Sequence, residues 1–162
     1  MSEGKVLVIG YGNAMRSDDG VGPWVASAIA SWGAEGIEAI AAHQLTPELA
    51  DPISRARLAI FVDARPAEAG ESVEVRELDP SEAPAPSGHL GDPRSILALA
   101  RSVFGRSPRG WLVAVPASDF SIGEGLSSTA RLGVVEALRR IAELIDGASP
   151  SGPGGSATGR PA

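Results

Sequence analysis

The sequence predicts a three-layer α-β-α sandwich, in which a twisted, mostly parallel sheet of about five strands lies between two layers of helices. Three observations carry that α/β prediction. Strand-like and helix-like segments alternate along most of the 162 residues, the pattern of parallel strands joined by crossover helices. Residues 5–9 (KVLVI), 58–62 (LAIFV) and 111–115 (WLVAV) are almost wholly apolar, as strands covered on both faces require. The helix-like segments instead repeat apolar residues at three- and four-residue spacing, so each has one face to bury.

Each element follows in order. The run KVLVI ends in Gly10 and reads as a buried strand. A Gly- and Asp-rich loop, GYGNAMRSDDG, leads to a helix whose apolar face is Val21, Val25, Ala28, Ile29 and Trp32, stopped by Gly33 and Gly36. Residues 37–42 form a second strand. Thr46 then reads as an N-cap with Pro47 at the first helical position, opening a short helix to about Ile53. LAIFV is the third strand, ending at Asp63. Residues 72–78 (SVEVREL) alternate apolar and polar, the pattern of an edge strand or one with a wet face.

Residues 79–91 are too rich in Pro and Gly for regular structure, and read as either a mobile lid or an inert surface loop. Asp92 and Pro93 repeat the cap-plus-proline signal for a helix to about Phe104. WLVAV is the last core strand. The final helix, from about 128 to 145, carries Leu132, Val135, Leu138, Ile141, Ala142 and Ile145 on its expected apolar face. Trp24, Trp32 and Trp111 are expected in the core. Residues 1–146 form the domain. Residues 147–162, of which 14 of 16 are Gly, Pro, Ser or Ala, have almost no apolar area to offset ordering and are expected to be a disordered tail.

Composition excludes several functions. The absence of cysteine removes disulfides, thiolate metal sites, iron–sulfur clusters and thiol nucleophiles. With 14 Lys and Arg against 20 Asp and Glu, the net charge of −6 makes nucleic acid and anionic membranes poor partners. No window reaches the ~18 apolar residues of a membrane helix, and the first residues lack a signal peptide's apolar region, so a cytoplasmic location is expected. Nothing demands more than a monomer.

The first loop presents G-x-G, but Met15 stands where a dinucleotide fingerprint needs its third glycine, and Asp18 and Asp19 would repel a pyrophosphate. No G-x-S-x-G elbow follows a strand either. What the loop does offer is a pair of carboxylates ahead of a helix. Asp18 reads as that helix's cap. Asp19 gains meaning from Asp63, which ends a buried strand and must be paired, metal-bound or absorbed in a turn. If the first and third strands are neighbours, Asp19 and Asp63 face one another across the crevice at the strands' carboxyl ends. His89, in SGHLG, precedes a helix start at the same sheet edge. Asp19, Asp63 and His89 together would make an O,O,N set suited to nickel or zinc. His43 reads as structural, and Asp119 and Glu124 fall outside the set.

The succession VLVIGYGNAMRSDDGVG, LAIFVDA, SGHLG and VAVPASDFSIGEGLS, followed by a C-terminal helix, resembles the maturation endopeptidases of nickel–iron hydrogenases. The resemblance spans about residues 5–145. It implies an endopeptidase of α/β fold that removes a C-terminal extension from the precursor of the hydrogenase large subunit after nickel insertion. The family's metal-binding positions fall on Asp19, Asp63 and His89, and Asp19 and Asp63 are implied as catalytic. The resemblance leaves open whether the nickel belongs to the precursor or is held by the trio, and whether the chemistry is aspartic-type or metal-assisted. Two features depart from the pattern. Many relatives carry glutamate where this chain has Asp19, and the Gly/Pro/Ser tail has no counterpart. Two other functions compete: a metal-binding accessory of the large subunit that does not cut it, and a peptidase of this fold acting on another precursor.

Overall fold

The computed structural model describes residues 4–84 and 91–148. Five strands form one sheet in the order β2-β1-β3-β5-β4. These are β1 (Val6–Tyr11), β2 (Ile37–Ala42), β3 (Leu58–Pro66), β4 (Glu74–Leu78) and β5 (Arg109–Ala117). All neighbours run parallel except β4, which pairs antiparallel with β5 at the edge. The alternating run at 72–78 is thus an edge strand, with three of the five residues of β4 exposed. Both β3 and β5 extend past their apolar runs, as far as Pro66 and Ala117.

Strand parity divides the core in two, because successive side chains leave opposite faces. Val6, Val8, Leu58, Ile60, Val62, Val113 and Val115 face one way, under α1 (Val21–Ala30) and α4 (Ser128–Gly147). Leu7, Ile9, Tyr11, Ala59 and Phe61 face the other, under α2 (Ala50–Arg55) and α3 (Pro93–Phe104). The predicted three layers are therefore present, with β1 buried along its whole length and β3 and β5 along most of theirs. From β1 the chain crosses by α1 to β2, then returns by α2 on the opposite face to β3. The sheet's topological switch point lies between β1 and β3, where an α/β fold opens its crevice.

Local signals behave as follows. Asp92 caps α3, its carboxylate accepting from Arg94 N at 2.9 Å, with Pro93 at the first helical position. Thr46 is extended, but its side chain makes no cap bond, and the chain enters α2 through a 3-10 turn, Pro47–Leu49. Among its described residues, the stretch after Asp79 contains one short 3-10 turn, Pro80–Glu82, which Asp79 caps through Ser81 N.

Two expectations about packing fail. Trp24 and Trp32 are 55% and 44% exposed, because α1 buries Val21, Gly22, Val25, Ala26 and Ile29. Trp111 is half-buried against the α1/α4 core. On α4, Leu132 and Val135 are exposed, while Ala130, Gly133, Val134, Ala137 and Ile141 are buried. The cause is close approach: a Cβ on Gly133 would press on Val115 Cγ1 at 2.7 Å, so small residues face the sheet at the start of the helix and Leu132 and Val135 turn outward. Leu138, Ile141 and Ile145 keep their expected place against the core. The helix runs to Gly147, one residue past the expected domain end, and residues 149–162 of the expected tail lie outside the described residues.

Candidate active site

The site is built at the carboxyl ends of β1 and β3. Pairing of Gly10 with Val62 places Tyr11 and Asp63 side by side at the next step of the two strands. By parity both leave the face that carries Phe61 and α3. Asp63 is half-buried, and Asp63 Oδ1 accepts from the backbone N of Ala64 at 2.8 Å. Burial pushes its carboxyl up to about 6, against the pull of the Ala64 N–H, and the negative charge of Asp19 adds to the rise. The neighbouring Tyr11 hydroxyl opposes the shift. Tyr11 itself is held protonated, chiefly by burial and then by the charge of Asp63.

Asp19 reaches this position through a turn that only glycine permits. Gly12 has φ 147°, and a Cβ there would strike the Asp19 carbonyl. The turn aims the backbone N of Asn13 at Asp19 Oδ2, 2.7 Å away. Asp19 is left half-buried, with its charge felt by Asp63. β1 and β3 are neighbours, and Asp19, in the 3-10 turn Ser17–Gly20, lies near enough for its charge to act on Asp63 at the end of the β3 apolar run.

Asp18 does not cap α1. Its carboxylate is fully buried and accepts four hydrogen bonds from the loop after β5. Oδ2 takes Ser118 N (2.9 Å), Asp119 N (3.0 Å) and Ser127 Oγ (2.6 Å), and Oδ1 takes Ser127 N (2.7 Å). Burial alone would raise this carboxyl, but those donors outweigh it and hold the group below its ordinary value. Ser127 Oγ also caps α4 by accepting from Ala130 N at 3.1 Å. One buried charge therefore ties the Asp19 loop to the start of the longest helix. Ser17 supports the junction from a left-handed backbone, φ 54°, donating its hydroxyl to Ser121 O at 2.7 Å.

A crevice of about 410 Å³ opens from Asp63 along the α3 side, between Tyr11, Leu78, Leu112 and the α3 start at Asp92 and Arg94. His89, the third residue of the expected set, lies outside the described residues, and among those described no three His, Cys, Asp or Glu side chains gather closely enough to hold a metal. Asp19 and Asp63 are oxygen donors of the kind a divalent ion accepts. His43 is exposed beyond β2. Asp119 is engaged locally, accepting from Ser121 N and Oγ, and Glu124 is exposed. The part played by Tyr11 and Asp18 was not anticipated. Parity from Phe61 to Asp63 and from Ile9 to Tyr11 could have found the first. No local signal marks the second, because its partners lie 100 or more residues away.

No family model matches the chain, and no curated relative matches it significantly. Solved structures do. The hydrogenase maturating endopeptidase HybD from E. coli superposes with a TM-score of 0.73 at 18% identity, over 90% of this chain and 94% of that one. The [NiFe] hydrogenase maturation protease HybD from Thermococcus kodakarensis gives 0.64 at 20% identity, over 86% and 98%. The maturation protease HycI from Thermococcus kodakarensis KOD1 gives 0.61 at 23% identity, over 91% and 93%. Along nearly its whole described length, the chain has the fold of the hydrogenase maturation endopeptidases.

Proposed function

We propose that this protein is an endopeptidase that removes the C-terminal extension of the nickel–iron hydrogenase large-subunit precursor after nickel insertion. The observation that carries it is Asp63 half-buried beside the β1/β3 switch point with the charge of Asp19 acting on it, in a fold shared with structures named as maturation endopeptidases. The nickel is that of the substrate, and Asp19, Asp63 and His89 offer it ligands as it sits in the precursor. Its charge there marks a loaded precursor and polarises the groups around it.

The two carboxylates can perform the hydrolysis as an acid–base pair. With Asp63 raised to about 6, its carboxyl holds a proton below that pH and in a minor fraction of molecules at neutral pH, beside the carboxylate of Asp19. The free carboxylate takes a proton from the attacking water, and the protonated one gives its proton to the departing amide nitrogen. Atoms balance: water's OH joins the acyl carbon and the released peptide leaves as an amine. The Asn13 N–H fixes the Asp19 oxygen that would otherwise rotate, and Tyr11 flanks Asp63. We place the protein in the cytoplasm, as a monomer, with the precursor as its partner.

The test is mass spectrometry of purified, nickel-loaded precursor before and after incubation. One loss of a C-terminal peptide is expected, absent with nickel-free precursor. Asp19→Asn and Asp63→Asn should each lower the rate at least ~100-fold with the fold intact by circular dichroism. Wild-type processing by both variants would overturn the assignment of roles. An unchanged precursor that still binds the protein would instead make it a non-catalytic accessory.

A further inference from the structure

Two exposed large apolar side chains, Met15 at 55% and Ile122 at 87%, sit on the two loops that Asp18 fastens together. Their backbones are stitched side by side. Gly123 N donates to Met15 O at 2.8 Å, Ser17 N returns a bond to Gly123 O at 2.8 Å, and Arg16 and Gly123 form a parallel bridge. Arg16 Nε adds a bond to Phe120 O at 3.2 Å. Beneath them lie the four bonds of Asp18 and the Ser17 hydroxyl bond. The same loop continues to Asn13, whose N–H holds Asp19.

We propose that this rim, residues 13–16 and 119–123, is a docking surface for the precursor protein, with Met15 and Ile122 as the apolar contacts that seat it beside Asp19. The proposal rests on the peptidase function above. Apolar side chains left in water by a flexible loop would lose ordering entropy on binding. A loop tied by this many bonds has already lost that freedom, so covering Met15 and Ile122 yields affinity with little further cost. The rim is also continuous with the proposed catalytic pair, so a protein seated there brings its chain to Asp19. The partner's surface beside the cut should accordingly be apolar. A few central apolar residues dominate most interfaces, so two suffice to be felt.

The experiment has a kinetic arm and a capture arm. The doubly substituted Met15→Ser/Ile122→Ser protein should fold normally, since both side chains are exposed, and should raise KM about tenfold with kcat retained. Leu132→Ser/Val135→Ser, equally exposed but on α4, should leave both constants unchanged. In the second arm, a photo-crosslinking amino acid at position 122 should capture the nickel-loaded precursor, and one at position 132 should not. Unchanged KM in the rim variant together with no capture from position 122 would overturn the docking surface while leaving the peptidase intact. Capture from position 122 without any cleavage by the unsubstituted protein would overturn the peptidase and support the surface. Neither capture nor cleavage would overturn both.

Discussion

Asp63 is a carboxyl the fold holds at a disadvantage. In the folded protein its pKa is raised from 3.8 to about 6, by burial first, with the charge of Asp19 adding and the Ala64 N–H opposing. The folded state therefore keeps a proton that the unfolded chain releases above pH 3.8. As pH rises from there to about 6, this residue subtracts progressively from stability, and beyond that the penalty is constant. Asp18 has the opposite sign: its lowered pKa adds stability at neutral pH that disappears as acid protonates it in the folded state. Comparing metal-free wild type with Asp63→Asn isolates the first effect, because every other group titrates in both. Urea midpoints across pH 4 to 7 should show the wild type losing stability relative to the variant as pH rises, with the difference levelling above about 6. Parallel profiles would show that Asp63 titrates as an exposed carboxyl and that burial and Asp19 do not act on it.

Elements here are set by close approach as much as by hydrophobicity. β1 and α1 meet at Gly10 and Gly22. A Cβ on Gly10 would strike the Gly22 carbonyl, and one on Gly22 would meet the carbonyls of Tyr11 and Val62. That approach lets α1 begin directly over the switch point and so holds the Asp19 loop tight. Gly10→Ala and Gly22→Ala should each cost about 3 kcal/mol in urea unfolding, whereas Gly147→Ala, which faces open space, should change stability by under ~0.5 kcal/mol. Equal effects at all three would refute the close packing. The same physics explains what the sequence disclosed. The apolar runs of β1, β3 and β5, the Asp92–Pro93 cap and the acid ending LAIFV each depend on neighbours in sequence, and all were legible. The face of α4 was legible only in its second half, at Leu138, Ile141 and Ile145; its first half runs through Ala130, Gly133 and Ala137, residues that a search for large side chains passes over. Trp24 failed similarly: its size argued for burial, while α1 turns Gly22 and Ala26 to the sheet instead. Asp63 is marked by the end of an apolar strand run and Asp19 by the loop that follows another, but the Asp18 clamp depends on Ser118 and Ser127 arriving from far along the chain.

At the scale of the whole molecule, charge and packing both follow the sheet's polarity. The carboxylates of the site gather at the carboxyl ends of the strands. At the opposite edge Lys5, Arg55, Arg57 and Arg106 line a cavity of about 630 Å³, beside the C-terminal ends of α2 and α3, whose carbonyl dipoles favour cations. Arg57 also donates to Ala148 O at 2.7 Å, pinning the end of α4 to the start of β3. Because β1, β3 and β5 supply both cores through alternate side chains, neither helical layer can leave without exposing strands that the other still covers. Unfolding should therefore be a single transition. Phe61→Ala on the α2/α3 face should cost about 3–5 kcal/mol, and Ile141→Ala on the α1/α4 face about 2–5 kcal/mol. Both should move one urea transition recorded identically by far-UV circular dichroism and by tryptophan fluorescence. The fluorescence is a selective witness, since Trp24 lies on α1, Trp32 just beyond it and Trp111 on β5, away from α2 and α3. If the α2/α3 layer, which walls the crevice beside Asp63, could open alone, Phe61→Ala would lose circular dichroism before fluorescence. Coincident curves in both variants would mean that the site's two walls share the stability of one sheet.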